Sequence, residues 1–417
     1  IITDPMYDEV LAPFVQWKIE KGYETEVVYA SDIGGVNAIK DFLAEEYYNN
    51  GLTHAIIAGD EDQIPSELVS NGGGTGYCDP CYSYVEGNDS YPEFFVGRLL
   101  THSVEEMQSV VERHLSYEKN PYMGDDWFND AIGIGSSEGA GNGDEGQSDW
   151  QHQNAIKNLL LAYGYDQVWE VYEGSQASSS VSTDGTQDEA GNPNANDMIT
   201  IVNKGETVIN YCGHGYHGGV ATSGFDVNAV VDLENTGMYP FFMAVACCVG
   251  DFDESDGSGD CFGEVWSKAT DNNGNPIGGI GGAFSSVLQS WAPPMEGQDE
   301  MNNLIVEQGA YDIRHSTGSI VTHGCCSMND AYGGQGDEMT DTWCVFGDPS
   351  TVLRTATPTQ LELVHQEVYF LGTPAMQINC NVNGAYVAIT SGDQILGTAF
   401  VEDGVADISL NAPLSVP

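Results

Sequence analysis

Basic residues are nearly missing from this chain. Only 11 Lys and Arg stand against 63 Asp and Glu, a formal net charge of −52 over 417 residues. Such a surface repels nucleic acid and anionic membranes, which excludes both as partners. It suits divalent cations, which take carboxylate oxygens, and cationic substrates. Solubility in salty water explains most of the acids equally well and needs no partner. A long apolar run is missing too: none approaches the roughly 18 residues of a membrane span. The chain opens on Ile1 with no signal peptide, and the expectation is a piece processed from a longer precursor. Paired zinc-type cysteine motifs are also missing. Cys78 and Cys81 have the spacing, but no second pair completes a site. A local disulfide or two free thiols is the reading there. Among 10 cysteines, Cys247–Cys248 and Cys325–Cys326 are adjacent, and adjacent cysteines rarely bridge each other.

What is present is an alternation of helix and strand patterns. Residues 7–22 carry apolar side chains at helical spacing and stop at Lys21-Gly22. Residues 23–30 read as a strand, 36–51 as a helix and 53–60 as a short buried strand. This order implies a parallel sheet covered by helices, with ligands beyond the carboxyl ends of its strands. A helix over 103–120 closes the first unit, with Ser103 and Glu106 spaced as a capping box. The pattern then restarts with a strand in "DAIGIGSSEG", a helix in "SDWQHQNAIKNLLLAYGY" and a strand in "QVWEVYE". Two more strands follow in "ETVINYCGHG" and "PFFMAVACCVGD". The fold class is therefore α/β, with tandem units over 1–122 and 123–354. From 355 to 417, apolar and polar residues alternate between turn signals. That segment reads as a β-sandwich cut short at about five strands.

The chemistry gathers at two strand ends. His214 lies just past one buried strand and Cys247 just past the next. Neighbouring parallel strands place their carboxyl ends side by side. A cysteine thiolate is a nucleophile, and an imidazole beside it raises its reactivity and protonates a leaving amine. The N–H groups of Gly215 and Cys247 are placed to hold an oxyanion. Taken singly, each residue has a plainer reading: a buried core cysteine, a loop histidine. Their succession on two strand ends is what points to catalysis.

The segments "NYCGHG", "VACCVGDF", "SEGAGNGDEGQSDWQHQNAIKNLL", "QSWAPPMEGQDEMN", "DTWCVFGDPS" and "GNDSYPEFFVGR" carry a resemblance to the gingipain family of cysteine peptidases. The likeness runs over nearly the whole chain and leans toward the arginine-specific members. It implies a caspase-like α/β fold followed by an immunoglobulin-like domain over 355–417. It also implies cleavage of proteins or peptides at basic residues, after Arg with Lys as a further candidate, through an acyl-enzyme. By the same resemblance the catalytic histidine is His214, the nucleophile Cys247 and the acid that orients the imidazole Glu138. The carboxylate at the base of the arginine pocket is Asp149, with Trp291 and Met295 as its apolar wall and Cys212 at a further pocket position. Read from the residues alone, Asp149 after Ser148 is an ordinary helix N-terminus. Structural calcium is implied as well, with Asp89 and Glu93 as the candidate ligands and other acidic loops such as 251–260 as rivals. No organic cofactor is expected. The implied protein is a monomer, extracellular or at a cell surface.

Three alternatives stand beside this reading. Cys248 competes with Cys247 as nucleophile, although Val245-Ala246-Cys247 keeps the family's spacing to Gly250-Asp251-Phe252. His214 and His217 have a spacing that suits a zinc hydrolase. An inactive binding or adhesion relative would keep the fold, but the presence of His214, Cys247, Glu138 and Asp149 argues against it.

Overall fold

The computed structural model describes residues 1–124, 127–174, 192–253, 257–308 and 316–415. They form two compact units, one of Ile1–Tyr7 with Val28–Thr357 and one of Asp8–Val27 with Pro358–Pro417. In the larger unit, ten strands make one sheet. In chain order they are β1 (Ile2–Thr3), β2 (Val28–Tyr29), β3 (His54–Ala58), β4 (Phe95–Leu99) and β5 (Asp130–Gly135). They continue as β6 (Gln167–Tyr172), β7 (Val208–Cys212), β8 (Phe241–Val245), β9 (Gly281–Ser285) and β10 (Trp343–Phe346). Across the sheet the order is β2-β1-β3-β4-β10-β9-β8-β7-β5-β6.

Every neighbouring pair is parallel except β9 with β10, which is antiparallel. The two tandem α/β segments therefore share one sheet. The strands fall into two sets of opposite direction that meet between β9 and β10, so that β10 runs with β1–β4 and against β5–β9. Their carboxyl ends open at opposite edges.

β7 and β8 are buried along their whole length because helices cover both faces, and the polar Asn210 within β7 is paired with Asn302. Side chains alternate between faces with a period of two. Phe241, Met243 and Val245 enter one core with Met295 and Met301. Phe242 and Ala244 enter the other with Phe262 and Trp266. β8 pairs with β7 from Phe241↔Val208 to Val245↔Cys212, and β5 pairs with β7 up to Gly135↔Cys212. The three strands thus end level, and the loops after Gly135, Cys212 and Val245 meet.

Where sequence and structure differ, local chemistry explains it. The strand expected over 23–30 is reduced to Val28–Tyr29, and a short helix starts at Ala30. The helix Val104–Lys119 is capped by Ser103, whose hydroxyl accepts from Glu106 N at 3.2 Å. The Glu106 carboxylate reaches past the cap to His102 N, at 2.7 Å. Cys78 and Cys81 are joined in a disulfide. It brackets Asp79, which takes two bonds from the buried Arg98, Nε at 2.7 Å and Nη2 at 2.6 Å.

In the smaller unit, the helix Asp8–Glu20 is accompanied by five short strands among the described residues. Leu363–Val364, Ala375–Cys380 and Val405–Ser409 form one antiparallel sheet, and Tyr386–Ser391 with Gln394–Phe400 forms a hairpin. Ile378, Val387, Val401 and Ile408 fill the core between them. No helix among the described residues is long and apolar enough to cross a membrane.

Candidate active site

His214 follows β7 and Cys247 follows β8, and both line a cavity of about 240 Å³. Cys212, Gly213, Leu288, Gln289, Ser290 and Trp291 complete much of its wall. Close approach of the two loops requires glycine at 215. A Cβ there would lie 2.6 Å from the Cys247 carbonyl oxygen. His214 Nε2 is 2.9 Å from Glu138 Oε2, and the two side chains are 58% and 57% exposed. With Nε2–H donated to the carboxylate, Nδ1 is left as the base. The Trp291 ring stands edge-on to the imidazole, 5.6 Å between centroids.

Cys247 is half-buried, and its Sγ points at the Gln289 carbonyl oxygen, 3.8 Å away. Burial pushes its thiol up, against a backbone hydrogen bond from Gln289. Among the described residues the Cys247 N–H has no acceptor, as an oxyanion donor requires. Cys248 is turned elsewhere: it takes a left-handed conformation, φ 56°, and its N–H bonds to Val287 O at 2.9 Å. Burial, with Asp251 nearby, pushes its thiol up to about 11. Cys247 is the member of the pair that faces the cavity.

Asp149 begins the helix Asp149–Tyr163, yet capping falls to its neighbours: Ser148 N donates to Gln151 Oε1 at 3.0 Å. The Asp149 side chain is fully buried. Its Oδ1 accepts from the Trp291 indole N–H at 2.8 Å, and its Oδ2 accepts from the Ser136 hydroxyl. Burial raises its carboxyl, against the hydrogen bonds from Ser136, Trp291 and Cys212. The Cys212 thiol, itself driven well up by burial and by Asp149, stays protonated and serves as a donor. Gly139 is obligatory beside this bond. Its φ is +81°, and a Cβ would fall 2.5 Å from Trp291 Nε1 and 2.8 Å from Asp149 Oδ1. Asp149 therefore lies one layer behind the cavity wall, with Trp291 between. Met295 is also fully buried, against Gly143, and does not face the cavity.

A cysteine and an acid-held histidine share this cavity at the ends of adjacent parallel strands, and the chain's relatives can be set against that geometry. The profile of peptidase family C25 matches residues 1–354, and that of the C-terminal ig-like domain of the same family matches 368–415. The chain belongs to peptidase family C25. Gingipain R2 of Porphyromonas gingivalis is 34% identical over 420 residues, which covers 100% of this chain and 54% of that protein. The chain thus spans about half the length of this curated relative. Lys-gingipain of the same organism is 26% identical over 284 residues, 64% of this chain and 14% of that protein. A crystal structure of the Arg-specific cysteine proteinase gingipain R matches with a TM-score of 0.90 at 34% identity, covering 99% of this chain and 91% of that one. The larger sheet with its helices and the small antiparallel domain are thus the C25 architecture.

Against this C25 frame, two residues near the chemistry went unread in the sequence. Gln289 accepts from Ala246 N at 2.8 Å through Oε1 and offers its carbonyl to Cys247, so it holds the nucleophile's loop. Ser136 bonds Asp149 and Glu138 together. Their only sequence signal was proximity to "QSW" and "SSEG". His217 does not line the cavity. Among the described residues the groupings with metal-ligand proximity are Cys78–Cys81–Asp341 and Asp60–His102–Glu264. Neither contains His214, His217, Asp89 or Glu93. In the loop 85–93, Glu93 Oε2 accepts from Val85 N at 2.8 Å and Glu86 N at 3.2 Å, and Asp89 Oδ1 from Tyr91 N at 3.2 Å. Part of the rival acidic loop, 254–256, lies outside the described residues.

Proposed function

We propose that this chain is a cysteine endopeptidase that cleaves after arginine. The observation that carries the proposal is one cavity holding Cys247 and a His214 whose Nε2 is tied to Glu138, with a buried carboxylate behind the wall formed by Trp291 and Cys212. His214 Nδ1 takes the Cys247 proton as sulfur bonds to the scissile carbonyl carbon. The resulting oxyanion is held by the Cys247 N–H, with the Gly215 N–H as second donor. The C–N bond then breaks, and Nδ1 returns its proton to the departing amine. Water attacks the thioester with His214 as base, which frees the acid product and the thiol. Glu138 stays ionised throughout; it fixes the tautomer and supports the imidazolium.

Arginine selectivity is assigned to Asp149. A guanidinium matches a carboxylate with two charge-assisted bonds. Trp291 now holds Oδ1, so the arginyl head takes the place of the indole N–H, and the indole swings to cover the aliphatic stem. The neutral Cys212 thiol is a weaker partner than a hydroxyl, which leaves room for Lys as a secondary choice. Asp89 and Glu93 present a hard-oxygen donor set for structural calcium in the loop 85–93. Glu93 Oε1 takes no part in the loop's amide bonds. The protein acts as a monomer outside the cell or at its surface after processing from a longer precursor, as its relatives' kinship suggests.

The test is a fluorogenic peptide panel with Arg, Lys, Asp or Leu before the cleaved bond. Turnover greatest for Arg and abolished in Cys247→Ala is expected. No turnover, or no preference for Arg, would overturn the reading.

A further inference from the structure

Ser136 stands where β5 ends, and it touches the parts of the site assigned to selectivity and to catalysis. Its hydroxyl donates to Asp149 Oδ2 and accepts from the Glu138 N–H at 3.0 Å. A serine hydroxyl has one proton. Because the Glu138 amide occupies a lone pair, that proton is committed to Asp149. Backbone bonds close the figure. Asp149 N donates to Glu138 O, Trp150 N to Ser136 O, and Ser136 N to Cys212 O, each at 3.1 Å. Ser136 is buried, so no water substitutes for it. At the far end of the same strap, Glu138 holds His214 Nε2.

We propose that Ser136 is a positioning residue that couples occupation of the arginine pocket to the orientation of the catalytic histidine, along Asp149, Ser136, Glu138 and His214. The proposal rests on the peptidase reading above. A carboxylate fixed by Ser136 meets the guanidinium in one place only. The same hydroxyl fixes the amide of the residue that aims the imidazole. Binding energy gained at the substrate's arginine is thereby expressed in the chemical step as well as in affinity.

The groups facing Asp149 come from four directions. They are Ser136 after β5, Cys212 at the end of β7, Trp291 from the loop after β9, and His152 on its own helix. His152 brings no charge, since burial pushes it down to about 4. Among the hydrogen bonds that oppose the burial of the Asp149 carboxylate, Ser136 is the largest.

The test is Ser136→Ala, with Ser136→Thr and Ser136→Cys beside it, in an arginyl peptide assay over a pH range. Binding of guanidinium needs ionised Asp149, so kcat/KM climbs as pH rises through that group. Without the hydroxyl its pKa goes higher still, and the acid limb should move up by roughly one to two pH units. At pH 8, kcat should fall by about 10- to 100-fold, with the smaller change in KM. Thr should restore both. Cys, which keeps the size and offers a weak donor, should shift the limb the same way by less; it serves if the Ala variant does not fold. An acid limb that stays in place, or a loss confined to KM, would reduce Ser136 to a structural part. A parent without arginine preference would instead overturn the pocket assignment itself, and the two failures are separable in one experiment.

Discussion

Two of the carboxylate-facing histidines of the larger unit, His214 and His102, stand under opposite conditions. His214 meets one acid, through one nitrogen, and is more than half exposed. His102 meets three: Asp60 through Nδ1 at 3.1 Å, and Asp260 at 3.0 Å and Glu264 at 3.5 Å through Nε2. Those bonds, Asp260 first, push His102 up to about 12. Both of its nitrogens are spent, and it is a fixed cation. Lys268 Nζ, 2.9 Å from Asp260, adds a second positive charge to the same cluster. A histidine beside an acid is thus no sign of catalysis by itself. The sign is a histidine with one nitrogen held and the other left for chemistry.

That contrast is easiest to break at its largest effect. His214→Ala should lower kcat by roughly a thousandfold or more, as loss of a triad member does in hydrolases. His102→Gln should leave kcat/KM within a few-fold. Equal losses in two folded variants would erase the distinction. Next, Asp149→Asn should cut kcat/KM for arginyl peptides by about 30-fold to several-thousand-fold, the cost of removing one partner of a buried pair. Labelling of Cys247 by iodoacetamide should be unchanged in that variant, and an unchanged preference for Arg would return Asp149 to a purely structural role. Glu138→Gln should cost less, about 10- to 100-fold in kcat, since it keeps the imidazole in place and removes only charge support. Parent-like rates would make Glu138 a surface acid.

Two pH measurements sharpen the contrast further. The folded His102 holds its proton far above the ordinary value of 6.5. Its contribution to stability is whole below pH 6.5, declines as pH rises, and vanishes near pH 12. The melting-temperature gap between parent and His102→Gln should therefore shrink steadily from pH 6 to pH 10. A gap that widens would mean that His102 is not a stabilising cation in the fold. Alkylation of Cys247 should keep accelerating beyond the range of an ordinary thiol, because burial raises it. A plateau near neutral pH would instead reveal a resting thiolate–imidazolium pair.

Much of the site was legible in the sequence because it hangs on local pattern. Apolar runs ending in glycine-flanked His214 and in Cys247 are strand ends by period and composition, and β7 and β8 indeed end level. Glu138 was placed by the family resemblance, at the end of its own strand. The environment of Asp149 was not legible. Its partners Ser136 and Trp291 lie 13 and 142 residues away, and helix N-terminal chemistry predicts capping there with equal force. The shared sheet was hidden for a similar reason. Its reversal depends on β10, which arrives late in the chain to sit between β9 and β4. No periodicity announces a strand's partner.

The Cys78–Cys81 bridge bears on how this protein is to be handled. A loop closed across so few residues removes little freedom from the unfolded chain, worth about 2 kcal/mol in the chain-entropy view. Both sulfurs are buried, 0% and 5% exposed, whereas Cys247 lines an open cavity. Mild thiol in the buffer thus reaches the nucleophile and keeps it reduced long before it reaches the bridge. Storage conditions can be chosen for the one without endangering the other.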